Sequence, residues 1–292
     1  MKTYILYNPH AGHGDSKLKA EALAPKYKGE VILGDITEVE SYETLLAPLT
    51  AEDRVVLCGG DGTLNRFVND TEGIEINCEI DYFAIGTGND FLHDLDMQAG
   101  VDPIPVDKYL KELPAVEVKG KTCRFLNGVG FGIDGYCCEM GDKIKAESDE
   151  PVNYTAIAIK GLLFHYLPRT ATVTVDGVTH TYKKAWIAAT MKGRFYGGGM
   201  MTAPDQDRLA EDGRVTLVLF HGTSRLRTLT IFPSIFKGEH VKHTKAVAVH
   251  TGKEITVTFD SPAPLQVDGE TVTDVTTYCV KAGKTAPVAE TV

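Results

Sequence analysis

The stretch Arg54-Val-Val-Leu-Cys58, followed by Gly59-Gly60-Asp61-Gly62-Thr63 and a helical pattern from Leu64 to Asn69, constrains this chain more than any other. A short apolar run that empties into three glycines around an acid predicts a strand, a loop open to a ligand, and a helix. Glycines let backbone N–H groups close on phosphate oxygens, and the helix N-terminus adds the positive end of its dipole. Asp61 can meet a metal ion or a ribose hydroxyl. Taken alone, the same loop serves equally well as a tight βα turn.

Two further loops point the same way. Asp81-Tyr-Phe-Ala-Ile-Gly86 is a second apolar strand that runs into Gly86-Thr87-Gly88-Asn89-Asp90-Phe91, and the opening strand Tyr4–Tyr7 runs into Asn8-Pro9-His10-Ala11-Gly12. In open α/β sheets ligands sit outside the carboxyl ends of the strands, so these loops predict one nucleotide site. Asn8, Gly12, Gly59, Gly60, Gly62, Thr63 and Gly86 would form its walls. Thr87 and Asn89 can hydrogen-bond the nucleotide, and Asp90 can join the shell of a Mg²⁺ that keeps several waters and bridges the phosphates.

Residues 1–115 alternate strand and helix, which predicts a parallel sheet covered on both faces. From residue 116 to 281 β-branched, often alternating runs take over, at Ala171–Val175, Lys184–Thr190, Val215–Phe220, Val247–His250 and Ile255–Phe259. They predict an antiparallel β domain, interrupted by one helix near Val152–Tyr166. The expected active site is a cleft between the two domains, with nucleotide on the first and acceptor on the second.

Charge divides unevenly. Residues 1–115 hold 9 Lys+Arg against 21 Asp+Glu, whereas residues 116–292 hold 21 against 19. So acidic a first domain argues against nucleic acid as a partner. The segment Arg225–Lys245 sets five basic residues among large apolar ones, with Glu239 its only acid, and suits either an anionic membrane surface or a core helix with a solvated basic face. No apolar run approaches the ~18–20 residues that span a bilayer. The N-terminus reads as a strand and loop rather than a signal peptide, so a cytoplasmic protein at the inner membrane surface is expected. Six cysteines without paired metal-ligand spacing predict buried thiols, with neither zinc nor disulfide.

The motifs together resemble the diacylglycerol kinase catalytic family, in particular its bacterial soluble branch of lipid kinases. They are the Asn8-Pro-x-x-Gly12 opening, Gly59–Thr63, Gly86–Asp90, Gly130-Phe-Gly-Ile-Asp134, Tyr196-Gly-Gly-Gly199 with Ala203-Pro204, Asp212-Gly213, and Asp268-Gly-Glu270. Two positions depart from the pattern: His13 stands where relatives often carry Lys, and Arg66 where many carry Glu. The resemblance implies an NAD kinase/phosphofructokinase-like nucleotide domain followed by an antiparallel β-sandwich. It implies an ATP- and Mg²⁺-dependent transfer to a lipid hydroxyl, with diacylglycerol the default acceptor.

It also assigns site roles. Glu270 would be the general base, supported by Asp268, although Asp268-Gly269 between two apolar runs reads locally as a plain hairpin turn like Asp176-Gly177. Asp134 would be a further acid of the cleft, or a turn residue before Gly135. Leu209 and Arg214, through carbonyl oxygens, and Asp212, through its carboxylate, would hold a peripheral Mg²⁺ or Ca²⁺. Residues 282–292 would return to the first domain. A homodimer stays open, as do a soluble-metabolite kinase such as an NAD kinase and a nucleotide-binding regulator without turnover.

Overall fold

The computed structural model describes residues 1–86, 88–147 and 152–283, apart from the His13 side chain. Thr87 and residues 284–292, which carry the expected nucleotide contact and most of the expected return to the first domain, lie outside the described residues. The chain divides into two units, Met1–Lys111 and Glu112–Val292.

The first unit is built on strands β1 (Lys2–Tyr7), β2 (Glu30–Asp35), β3 (Arg54–Gly59), β4 (Glu79–Ala84) and β5 (Ile104–Pro105). They stand in the order β2-β1-β3-β4-β5, parallel except for the antiparallel edge strand β5. β3 is buried from Val55 to Gly59 because it has a neighbour on either side and helices on both faces, which is why its sequence is continuously apolar. Helices α1 (Ser16–Leu23), α2 (Tyr42–Leu46), α3 (Asp61–Asp70), α4 (Asp90–Asp94) and α5 (Asp107–Leu110) connect the strands. In α3, Leu64, Phe67 and Val68 form the buried face at helical spacing. The chain passes outward from β1 to β2 and then crosses back to β3, so the order reverses between β1 and β3. Their carboxyl ends carry the Asn8 and Gly59 loops.

The second unit is antiparallel. It contains β6 (Ala115–Val118), β7 (Lys121–Arg124), β8 (Gly128–Gly132), α6 (Ile133–Glu147), α7 (Tyr154–Lys160), β9 (Arg169–Val175), β10 (Val178–Ala185), β11 (Ile187–Met191), β12 (Phe195–Tyr196), β13 (Met200–Met201), β14 (Val215–Phe220), α8 (Arg225–Ile231), β15 (Val247–Gly252), β16 (Glu254–Val267) and β17 (Glu270–Lys281). The main sheet runs β15-β14-β11-β8-β16-β17-β6-β7, and the β9–β10 hairpin joins it through β16. β16 is the shared member: Ile255–Phe259 pairs with β9, and Leu265–Val267 pairs with β8. Phe131, Phe259 and Tyr278 fill the core on this seam, with the Phe131 and Phe259 rings stacked at 4.5 Å.

Three corrections to the sequence reading arise here. Among the described residues this unit holds not one α-helix but three, α6, α7 and α8, with a π turn (Gly161–His165) continuing α7. Gly135, the Cys137-Cys138 pair and Gly141 weaken the helical signal of α6 in the sequence. Its glycines are required by packing, since a Cβ on Gly135 would stand 2.2 Å from the Pro264 carbonyl oxygen. Second, Lys184–Thr190 is not one strand: the register shifts between Tyr182 and Ala185, and Lys184 takes a φ of 53°. Third, Arg225–Lys245 is not one amphipathic element. α8 is followed by two short 3₁₀ turns, and Ile231, Phe232 and Ile235 are buried in the core. No described helix is long and apolar enough to cross a membrane.

Candidate active site

In the first unit the three loops are tied together by backbone and side chain. Asn8 donates its N–H to the Cys58 carbonyl (2.9 Å) and its Nδ2 to Thr63 Oγ1 (2.8 Å), while its Oδ1 accepts from the His10 N–H (3.0 Å). A Cβ on Gly86 would stand 2.6 Å from the Gly60 Cα, so the first and second glycine loops touch backbone to backbone. Asp61 opens α3 and reaches across to the second loop. Its carboxylate accepts from the Asp90 N–H (2.7 Å) and the Phe91 N–H (3.4 Å), neutralising orphan donors at the start of α4. Asn89 sits in the left-handed region (φ 50°) and donates Nδ2 to the Gly86 carbonyl at 2.7 Å.

Gly12, with φ 65°, ends the first loop, and Asp15 and Ser16 follow it. The buried oxygens Asp15 Oδ1, Ser16 Oγ and Asn89 Oδ1 have no hydrogen-bond partner among the described residues. Asp15 and Ser16 were not singled out from sequence. A serine opening the helix that follows a glycine loop is the sequence signal. Arg66, the departure from the family pattern, is exposed and pairs with Asp70 on its own helix at 3.3 Å.

In the second unit Asp268 (φ 46°) and Gly269 (φ 91°) form the two-residue turn between β16 and β17. The Asp268 carboxylate accepts from the N–H groups of Leu126 (2.5 Å), Asn127 (2.8 Å) and Gly128 (2.9 Å). Burial pushes its pKa up, against the lowering by these hydrogen bonds and by Arg208. Arg208, itself buried, braces the same segment through the Leu126 carbonyl and Asn127 Oδ1, a role not visible from sequence. Asp176 makes a related clamp in its own turn, accepting from the N–H groups of Lys253 (2.9 Å) and Glu254 (2.8 Å). Both Asp-Gly turns therefore pin a neighbouring segment, and Glu270, the residue after the second turn, projects into solvent.

Asp134 opens α6 and is 7% exposed. Its Oδ2 accepts from the Tyr196 hydroxyl (3.2 Å), which ties the Tyr196-Gly-Gly-Gly199 motif to Asp134. Gln266, on β16, receives the Gly269 N–H on its Oε1 (2.9 Å), which fixes the orientation of its amide. Asp134 Oδ1 and Gln266 Nε2 are both buried without a hydrogen-bond partner among the described residues. Desolvation raises the Asp134 pKa to about 6, opposed by hydrogen bonding from the Gly135 N–H and the Tyr196 hydroxyl.

A carboxyl whose pKa is raised on folding stabilises the fold fully below its unfolded value, and that contribution is lost as pH rises through about 6. Asp134→Asn is therefore expected to unfold like the parent near pH 4 and to be the more stable protein at pH 7, by on the order of 3 kcal/mol. Urea denaturation across that window checks it, and parallel curves at every pH would refute it.

At the peripheral loop, the Asp212 carboxylate accepts from the Arg214 guanidinium and from the Arg214 N–H (3.3 Å). Arg214 holds the Asp212 pKa below the usual carboxylate range. The Arg214 carbonyl accepts from Gln206 Nε2 (3.1 Å), and Leu209 donates its N–H to Asp207 Oδ1 (2.9 Å). These residues stand as a closed ion pair, and a cation would have to displace the Arg214 side chain. Among the described residues no three His, Cys, Asp or Glu side chains form a metal-binding group.

Glycine-lined loops thus stand at the reversal point of a mostly parallel sheet, and the antiparallel unit that follows in sequence carries a buried acid, Asp134. Residues 2–116 match the diacylglycerol kinase catalytic domain, and residues 127–289 match the YegS C-terminal NAD kinase beta sandwich-like domain. The chain belongs to the diacylglycerol kinase family of lipid kinases. A diacylglycerol kinase of Mycobacterium tuberculosis is 27% identical over 270 residues, covering 85% of this chain and 84% of that one. The crystal structure of a diacylglycerol kinase from Bacillus anthracis superposes with a TM-score of 0.60 at 17% identity, covering 97% of this chain and 94% of that one. At that identity the superposition speaks for the fold.

Proposed function

We propose that the protein transfers the γ-phosphate of ATP to the free hydroxyl of diacylglycerol or a closely related glycerolipid. The observation that carries the nucleotide half is the contact of Gly60 with Gly86, closed by the Asp61 carboxylate on the α4 N–H groups. It leaves a loop surface without side chains at the sheet's reversal point, as phosphate oxygens require. Asn8, Gly12, Gly59–Thr63 and Gly86–Asp90 bind the nucleotide in this reading. Mg²⁺ would arrive on the phosphates and supply charge neutralisation. Asp61, Asn89 and Asp90 offer it hard oxygens, of which Asn89 Oδ1 lacks a protein hydrogen bond.

The acceptor half follows from the second unit. Phosphoryl transfer needs an aligned hydroxyl and a group to take its proton. Glu270, exposed next to a rigid turn, is the proposed base. Asp268 has both carboxylate oxygens occupied by backbone donors and holds the turn in place. Asp134, positioned by Tyr196, completes the acidic group on this unit.

Labelled ATP incubated in parallel with diacylglycerol, a sphingoid base and NAD tests the assignment. Label in phosphatidic acid is expected. Label on NAD alone, or nucleotide binding without transfer to any acceptor, would replace this reading.

The peripheral cation at Leu209, Asp212 and Arg214 is a separate proposal. Without nucleotide, Mg²⁺ is expected to raise the melting temperature of the parent and not of Asp212→Ala. Equal shifts would leave Asp212 as the ion-pair partner of Arg214 and nothing more.

A further inference from the structure

We infer that the groove between the turn at Leu167–Thr170 and the bulge at Lys183–Lys184, with the apolar side chains exposed beside it, docks on an anionic phospholipid bilayer. In this arrangement the lysines meet lipid phosphates and the apolar tips enter the interface. The inference rests on the lipid-kinase reading and names the surface through which such an enzyme would reach its acceptor.

Three segments of the second unit meet here. Gly222, ahead of α8, donates its N–H to the Lys183 carbonyl at 2.9 Å, and Trp186 Nε1 donates to the Thr223 carbonyl at 3.3 Å. Arg225 donates to the Leu162 carbonyl at 2.9 Å and lies over the Trp186 ring, which fixes α8 against the π turn. From this joined base three large apolar side chains stand in solvent: Phe164 is 71% exposed, Leu167 68% and Leu226 74%. Isolated exposed apolar side chains are ordinary, but three on segments braced to one another form an array.

The groove itself has a volume of about 480 Å³ and is lined by Leu167, Pro168, Arg169, Lys183, Lys184 and Asp260, with Thr170 and Ser261. Successive residues of a regular strand point to opposite faces. The register shift and the positive φ of Lys184 break that alternation, so that two consecutive lysines are both exposed. Among the described residues no carboxylate forms an ion pair with either lysine. Among the described residues Asp260 is the only acid in the lining, and its carboxylate accepts from the Thr170 N–H at 3.1 Å. The Arg169 guanidinium is spent on the Leu167 and Pro262 carbonyls and on Ser261, so it forms a fixed basic floor. Unpaired cations flanking exposed apolar tips match an anionic interface. The remainder of Arg225–Lys245 does not share this character, since its apolar residues turn largely inward and Lys242 pairs with Glu239 at 3.0 Å.

Co-sedimentation with phosphatidylcholine vesicles, with and without phosphatidylglycerol, tests the surface. The parent should prefer the anionic vesicles and lose that preference as salt rises. Lys183→Gln/Lys184→Gln should bind them about thirty-fold more weakly, which is roughly the 2 kcal/mol of two basic residues at an anionic surface. Phe164→Ser/Leu167→Ser should bind more weakly at every salt concentration. Lys242→Gln/Lys245→Gln should match the parent. All three should keep the parental melting temperature and the parental turnover of a water-soluble short-chain diacylglycerol, because the surface delivers the enzyme to lipid and does no chemistry. If the parent bound both vesicle types alike, the Lys183/Lys184 variant bound as the parent does, or the Lys242/Lys245 variant fell equally, the inference would be overturned. A parent that binds anionic vesicles but phosphorylates no short-chain lipid would instead fault the lipid-kinase reading, because vesicle binding is measured without turnover.

Discussion

Glu270→Gln is expected to bind ATP as the parent does and to lose about 10²- to 10⁴-fold in turnover, the range for removing a general base. The substitution keeps the side chain's length, and Glu270 is exposed at the first position of β17, so the turn and its register survive. Glu254→Gln, at the start of β16, is the matched control and should be silent. Asp268→Asn separates support from chemistry. Its amide can still accept through one oxygen but cannot serve three N–H donors, so a loss of stability with a smaller loss of turnover is expected. Single-turnover phosphate transfer beside calorimetric ATP binding reads both effects. If Asp268→Asn lost as much turnover as Glu270→Gln while remaining equally stable, the base would be Asp268 rather than Glu270.

The second large effect is a contrast between two glycines. Gly86→Ala places a methyl 2.6 Å from the Gly60 Cα, backbone that cannot swing aside. It should separate the two loops, cost about 1–3 kcal/mol of stability, and weaken ATP binding with it. Gly62→Ala meets nothing within 4 Å and lies in the first turn of α3, so the fold should be as stable as the parent or slightly more so. ATP affinity should nonetheless fall by about tenfold or more, the scale of one lost charged hydrogen bond, because the methyl occupies the approach of a phosphate. Melting temperature and ATP titration on both variants check the pair. Unchanged ATP affinity in Gly62→Ala would take the phosphates away from this loop.

The parallel strands β1, β3 and β4 and their loops were legible because buried strands between helices must be continuously apolar, and because the loops advertise themselves with glycine. The Asp176 and Asp268 turns were legible for a similar reason, since Asp-Gly tolerates the positive φ of a two-residue hairpin. What was lost depends on tertiary packing. α6 is helical although two glycines weaken it, because those glycines admit the Pro264 carbonyl and the Tyr154 ring. β16 continues past Pro262 and Pro264, where prolines suggest a break, by accommodating them at register shifts. The bonds of Tyr196 to Asp134, Arg208 to Leu126 and Asp61 to Asp90 link residues too far apart in sequence for any local pattern to join them.

The continuity of β16 sets a length scale for the reaction. Ser261 lies in the basic groove and Val267 ends the strand just before the turn that carries Glu270. At roughly 3.3 Å per residue those six steps span at most about 20 Å. With the groove at the level of the lipid headgroups, as proposed above, the proposed base Glu270 would stand no more than about 20 Å from them along this strand. Any part of that distance directed away from the membrane would have to be covered by the acceptor lipid rising out of its leaflet, at about 0.8 kcal/mol for each methylene drawn into water. The same strand that joins the sheets would thus act as a ruler, favouring lipids whose chains leave the membrane easily over those that are merely abundant in it.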